Sequence, residues 1–232
     1  MIGSAGIVWS ILNRRECLSH PNYRFLFVMS IIDIINSINL SVSSAAIPRG
    51  EYYGAIGNNM TCSTQGFLIQ FGFAVPFYNA SLSIFALLTI CYNYRSEEFA
   101  RVIEPVCHAV SLLFPLLTAI VLLALGLFHG GNKDGGGHWC WIYINESHQD
   151  MDKSREQMFS ILLVMFAGIP VFALSFFVYY CMGSIYHHVR KQHANNRRHS
   201  FLGRGSNHLV AQRLSATRQA LLYSGALIFS AI

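Results

Sequence analysis

The 232 residues are 53% hydrophobic and only 12% charged, with a formal net charge of +5 and a mean hydropathy of +0.40. Soluble domains carry roughly a quarter charged residues, so a free-standing soluble domain is a poor account of this chain. The charges are also clustered, which leaves four long, nearly uncharged stretches.

About 20 consecutive apolar residues cross the ~30 Å hydrocarbon core as a helix, because only a helix or closed barrel satisfies every backbone group there. In chain order, residues 1–12 are apolar but too short to cross, and read as the end of a partial helix. They lack the basic start and small-residue cleavage site of a signal peptide. Residues 25–47 form the first complete span, with one charge, Asp33. Residues 62–94, 106–128 and 158–185 form three more, all uncharged, and residues 216–232 turn apolar as the start of a further partial helix. The expected fold is all-α: a polytopic transmembrane bundle, a single domain over residues 1–232 that is cut at both ends.

Charge sets the expected orientation. Connection 13–24 holds Arg14, Arg15 and Arg24 against Glu16, and connection 186–218 holds Arg190, Lys191, Arg197, Arg198, Arg204, Arg213 and Arg218 with no acid. Four crossings separate the two, so they share a side, which the positive-inside rule makes cytoplasmic. Connection 95–105 then lies there too, although its Arg95 and Arg101 face Glu97, Glu98 and Glu104 and add no signal. Connections 48–61 and 129–157 are outer loops. Of the six cysteines, Cys17, Cys91, Cys107 and Cys181 fall at the cytoplasmic side. Disulfides persist outside the reducing cytosol, which leaves Cys62 and Cys140 as the pair free to bridge. Glycosylation sequons begin at Asn59 and Asn145 in the same outer loops, while a third, at Asn79, lies inside a span.

Polar residues within the spans are the candidates for function. Ser30, Asp33, Ser37, Ser41 and Ser44 recur at steps of three or four, one stripe expected to face the bundle. An intramembrane carboxylate is expensive; Asp33 suits a cation, a proton relay, a water network, or plain hydrogen bonding between helices. In the second span Pro76 removes a backbone donor and should kink the helix, with Asn79 and Ser83 placed to join Asp33 in a polar network. Pro115 and Pro170 lie in the third and fourth spans. Gln65 and Gln70 lie near the outer end, within reach of a ligand, and Trp139, Trp141 and Tyr143 suit an interfacial belt or a ligand wall. No HExxH, GxSxG or P-loop pattern occurs, and His187, His188 and His193 read as a solvated tail rather than a metal site. No catalysis, cofactor, metal or nucleic-acid partner is expected.

Two segments carry a family likeness: Cys62-Ser63-Thr64-Gln65-Gly66-Phe67-Leu68-Ile69-Gln70-Phe71 and Trp139-Cys140-Trp141-Ile142. With the expected disulfide and the long basic loop between the last two spans, they resemble the G-protein-coupled receptor superfamily. The likeness is closest to the cyclic-AMP-receptor-like group, and secondarily to secretin-type receptors. On that map residues 1–12 are the tail of helix I, the complete spans are helices II to V, and residues 216–232 begin helix VI of a seven-transmembrane fold. Asp33 resembles the acidic residue that rhodopsin-like receptors carry in helix II. Tyr92-Asn93-Tyr94-Arg95 stands where those receptors end helix III with Asp/Glu-Arg-Tyr; Arg95 takes the arginine's place and the acidic partner is missing.

The resemblance implies an extracellular ligand met by Gln65, Gln70 and Trp141, and a heterotrimeric G protein met by Arg95, Arg190, Lys191, Arg213 and Arg218. It also implies residence in the plasma membrane. The polybasic stretch should attract anionic lipid. Ser200, after Arg197-Arg198-His199, looks like a substrate of basophilic kinases, and its phosphate would add about −2 charge. The competing reading is a transporter or channel subunit, which would favour paired intramembrane charges, broken helices and inverted repeats. One carboxylate and no evident repeat weigh against it.

Overall fold

The computed structural model describes residues 2–13, 18–50, 53–130, 138–142, 161–162 and 164–199. Six helices make up nearly all of it. Helix α1 (Ile2–Asn13) lies along α2 (Pro21–Ser41). Pro21 opens α2 where its missing N–H would have been unpaired anyway, and His20 sits before it in extended backbone. A 3-10 turn, Ser43–Ala46, ends this arm.

The expected second span is two helices, α3 (Asn59–Gly72) and α4 (Ala74–Cys91), parted at Phe73. Pro76 explains the break: it has no N–H for the carbonyl of Gly72, and its ring crowds that carbonyl. The Phe73 N–H turns instead to Gln70 O at 3.2 Å, one residue tighter than the α pattern. At the other end of α3, Asn58 and Thr61 cap the helix reciprocally, each side chain accepting the other's backbone N–H at 2.9 and 2.8 Å.

Helix α5 (Ser96–Ala124) starts ten residues before the apolar run anticipated, so most of the expected connection 95–105 is helix. Glu97 and Glu98 in its first turn favour that start by facing the positive end of the helix dipole. It ends in a Schellman motif: Gly126, at φ +65°, takes the left-handed position, while Gly126 N–H reaches Leu123 O and Leu127 N–H reaches Leu122 O. A short antiparallel hairpin follows, β1 (Phe128–Gly130) paired with β2 (Cys140–Ile142), with His129 opposite Trp141. After a π-helical turn, Val164–Gly168, helix α6 (Ile169–His199) runs well past the expected end of its span. Residues 186–199 are therefore helix, not loop. The partial helix anticipated over 216–232 lies outside the described residues.

The exterior, more than the core, departs from that of a soluble protein. Val102, Val106, Val110, Leu113 and Leu117 line one exposed stripe of α5, and Phe172 and Phe176 are about 70% exposed on α6. Meanwhile Ser30, Gln65, Gln70, Ser81, Ser83, Glu104, Ser111 and Thr118 are buried. Water would not tolerate such an apolar exterior, whereas hydrocarbon solvates it and drives polar groups inward to each other. Four helical stretches have the length and hydropathy to cross: Pro21–Ser41, Asn59–Cys91, Ser96–Ala124 and Met165–Gln192. The chain is a polytopic all-α membrane bundle. Its main core joins Phe25, Met29 and Ile32 of α2 to Val75 and Tyr78 of α4 and Phe99 of α5; Val178, Met182 and Ile185 seat α6 on Ala80 of α4.

Candidate functional site

At one end of the bundle the hairpin is fastened onto α3. Cys62 and Cys140 form a disulfide, with Cα atoms 5.2 Å apart. Gln65, one turn further along α3, bonds three residues on two segments of chain at once. Its Oε1 accepts the Cys140 N–H at 2.7 Å, and its Nε2 donates to Asn39 O and Ser43 O at 3.3 and 3.1 Å. Asn39 answers by donating its own amide to Gln65 O. Gln70 repeats the arrangement deeper: its Oε1 accepts the Trp141 indole N–H, and its Nε2 donates to Thr118 of α5, both at 3.2 Å. The Trp141 ring stacks on Phe73, centroids 5.8 Å apart, over the break between α3 and α4.

These two glutamines were expected to face a ligand. Instead Gln65 is 2% and Gln70 0% exposed, and every amide atom of both is engaged. Their role in this structure is to hold β2 down; Trp141 is the half-buried group of the three that still meets the surface. The hairpin also packs tightly elsewhere: a Cβ on Gly66 would sit 2.5 Å from the Phe128 ring.

The residues expected to share a polar network do not meet. Asp33 is half-buried against α1, where Ser4 donates to its carboxylate. Ser83 donates within its own helix to Asn79 O at 3.0 Å, and the Asn79 side chain makes no hydrogen bond among the described residues. The stripe from Ser30 to Ser44 splits likewise, with Ser30 buried and Ser41 exposed. Helices α2 and α4 meet through apolar side chains, Phe25, Met29 and Ile32 against Val75 and Tyr78.

An ionic cluster that sequence reasoning passed over occupies the opposite, basic end. Arg24 of α2 donates Nη2 to Glu104 Oε2 of α5 at 2.6 Å. His108, one turn on, places Nε2 3.6 Å from Glu104 Oε1 and Nδ1 2.9 Å from the Tyr78 hydroxyl of α4. Phe25 packs beside it, its ring 4.9 Å from that of His108. The signal in the sequence was the i, i+4 pair Glu104 and His108, which falls on one helix face; it was hidden because Glu104 was counted with a solvated connection.

Arg95, Arg190 and Lys191 are exposed at this same end. Asn59, exposed, is the first residue of α3. Asn145, Ser200, Arg213 and Arg218 lie outside the described residues. Among those described, no group of three or more His, Cys, Asp or Glu is arranged to hold a metal.

Comparison with known proteins yields no matching family model. Among curated proteins, the chain is 24% identical over 145 residues to the ascaroside receptor GPR3 of Arthrobotrys oligospora. This chain is similar to a receptor. The match covers 61% of the chain and 34% of that receptor, so the chain matches about a third of its relative's length. With four spans of membrane-crossing length, the similarity supports a receptor-like, multi-pass membrane protein. Among the described residues, the disulfide-bound hairpin and the ionic cluster are polar assemblies at opposite ends of the bundle.

Proposed function

We propose that this chain is the core of a seven-helix receptor that carries an extracellular signal to a heterotrimeric G protein. The observation that bears most weight is the fastened hairpin, in which Cys140 and Trp141 are tied by the disulfide, Gln65 and Gln70 to one helix. A loop so held sets the shape of the outer mouth, and it covers the point where Pro76 interrupts the helix beneath. Similarity to a named receptor supports the same reading.

In this reading the basic end is cytoplasmic. Arg95, Arg190 and Lys191, with Arg213 and Arg218, then meet the G protein, and anionic lipid gathers at the polybasic stretch. Asn59 and Asn145 carry glycans on the outer side, Ser200 is a site of phosphorylation, and the protein resides in the plasma membrane. Ligand contact falls to Trp141 at the hairpin rather than to the sealed glutamines. The relative's name makes ascarosides the first ligands to try.

The test is guanine-nucleotide exchange on G proteins in membranes carrying the full gene product, with and without ascarosides. Stimulated exchange is expected. Solute flux or ion current without exchange would assign the chain to transport instead.

A further inference from the structure

A cleft of about 680 Å³ opens between the basic ends of α4 and α6. Tyr180, Ser184, His187, His188 and Lys191 reach it from α6, and Tyr92 from the end of α4. Tyr180, Ser184, His187 and Lys191 recur at steps of four, three and four, which puts them on one stripe of the helix. That stripe borders the face by which Val178, Met182 and Ile185 seat α6 on α4. Each of these six polar side chains can donate a hydrogen bond, and no carboxylate lines the cleft among the described residues. The Gln192 amide lies 2.9 Å from His188 Nε2 and steadies that ring.

The rest of the wall is apolar. Leu87 and Cys91 line the α4 side, and a Cβ added at Gly183 would meet nothing within 4 Å. The apolar run of this helix gives way to His187, His188, Arg190 and Lys191 at its basic end, which in the membrane reading puts these donors where hydrocarbon gives way to headgroups. A volume of this size suits a ligand larger than a bare anion, such as a headgroup with its glycerol. An all-donor lining selects an anion, and an apolar flank at that depth selects one attached to a lipid.

We propose that this cleft binds the phosphomonoester headgroup of an anionic membrane phospholipid. Lys191, His187, His188 and the tyrosine hydroxyls hold the phosphate, and the glycerol end lies against Leu87 and Cys91. The inference rests on the membrane reading and gives the lipid attraction of the basic stretch a defined seat.

The full chain, purified in detergent, is titrated by native mass spectrometry with dioctanoyl phosphatidic acid, dioctanoyl phosphatidylcholine and inorganic phosphate. Phosphatidic acid is expected to bind at least about tenfold more tightly than phosphatidylcholine, and Lys191→Gln to weaken it about fivefold, from about 1 kcal/mol per cation near a membrane surface. Gly183→Leu fills the cleft without changing charge and should remove binding, while Arg49→Gln, an exposed cation at the opposite end of the bundle, should leave it unchanged. Both Gly183 and Lys191 are exposed, so neither variant disturbs the core. Equal affinity for the two lipids, or phosphatidic acid binding undiminished in both cleft variants, overturns the proposal. Competition by inorganic phosphate at matched concentration overturns the lipid assignment in favour of a soluble anion. Because no G protein is present, failure here leaves the receptor reading standing, and failure of nucleotide exchange leaves the lipid site standing.

Discussion

Arg24 and Glu104, 80 residues apart in sequence, meet at 2.6 Å and pin the start of α2 to the early turns of α5. The carboxylate side is 7% exposed and the guanidinium side 37%. Breaking such a pair strands the buried partner, whose desolvation is then uncompensated. With the arginine partly solvated, the expected loss is about 1–2 kcal/mol for Arg24→Gln or Glu104→Gln. The double variant should lose less than the sum of the two. Thermal unfolding of all four proteins in one detergent measures this, and strict additivity would show that the two residues do not act as a pair.

The disulfide makes a second case. Cys62 and Cys140 enclose a separation of 78 residues, for which loop-closure entropy in a random chain gives about 4.5 kcal/mol. Helices that persist in the unfolded membrane state already restrict that loop, so about 2–4 kcal/mol is expected for Cys62→Ser, and the same for Cys140→Ser. The two changes together should cost no more than either alone. Peptide mapping should find the bridge in the parent protein and lose it in each variant; two free thiols in the parent would break the outer-side assignment.

Gln65 and Gln70 discriminate between ligand contact and structural fastening. Leucine at 65 leaves the Cys140 N–H and two carbonyls without their partner, and leucine at 70 abandons Trp141 and Thr118. At about 1–3 kcal/mol for a buried group left unpaired, both should lower the unfolding temperature, Gln65→Leu more than Gln70→Leu. If Gln70→Leu instead kept the unfolding temperature and lost only ligand response, Gln70 would be a ligand contact after all.

How far these assemblies were legible follows from what each depends on. The spans depend on local hydropathy, so all four were found, and Pro76 marked the break in the second. The pairing of Cys62 with Cys140 followed from which side each lies on. The fates of Gln65 and Gln70 depend on residues 75 and 71 positions away, and nothing local distinguishes a glutamine facing a mouth from one sealed beneath a hairpin. Glu104 was missed because hydropathy placed the helix start at the first long apolar run. The helix begins earlier, at Ser96, which carries Glu104 into the bundle beside Arg24. Asp33 was expected to share a network with Asn79 and Ser83; it meets Ser4 instead, on a segment too short to be read as a packing neighbour.

Gly66 offers the sharpest test of how closely the hairpin is seated. A methyl group there would lie 2.5 Å from Phe128 Cδ1 and 2.9 Å from its Cβ. The Cβ cannot rotate aside, and Phe128 is itself 4% exposed and paired with Ile142. Gly66→Ala should therefore lift β1, at a cost of about 1–3 kcal/mol for overpacking, and loosen the contacts of Cys140 and Trp141 next to it. The expected signs are a lower unfolding temperature and faster reduction of the disulfide by a mild thiol, while Gly183→Ala, placed in open space within α6, produces neither. Unaltered stability and reduction rate in Gly66→Ala would mean that the hairpin rests on α3 more loosely than its geometry indicates.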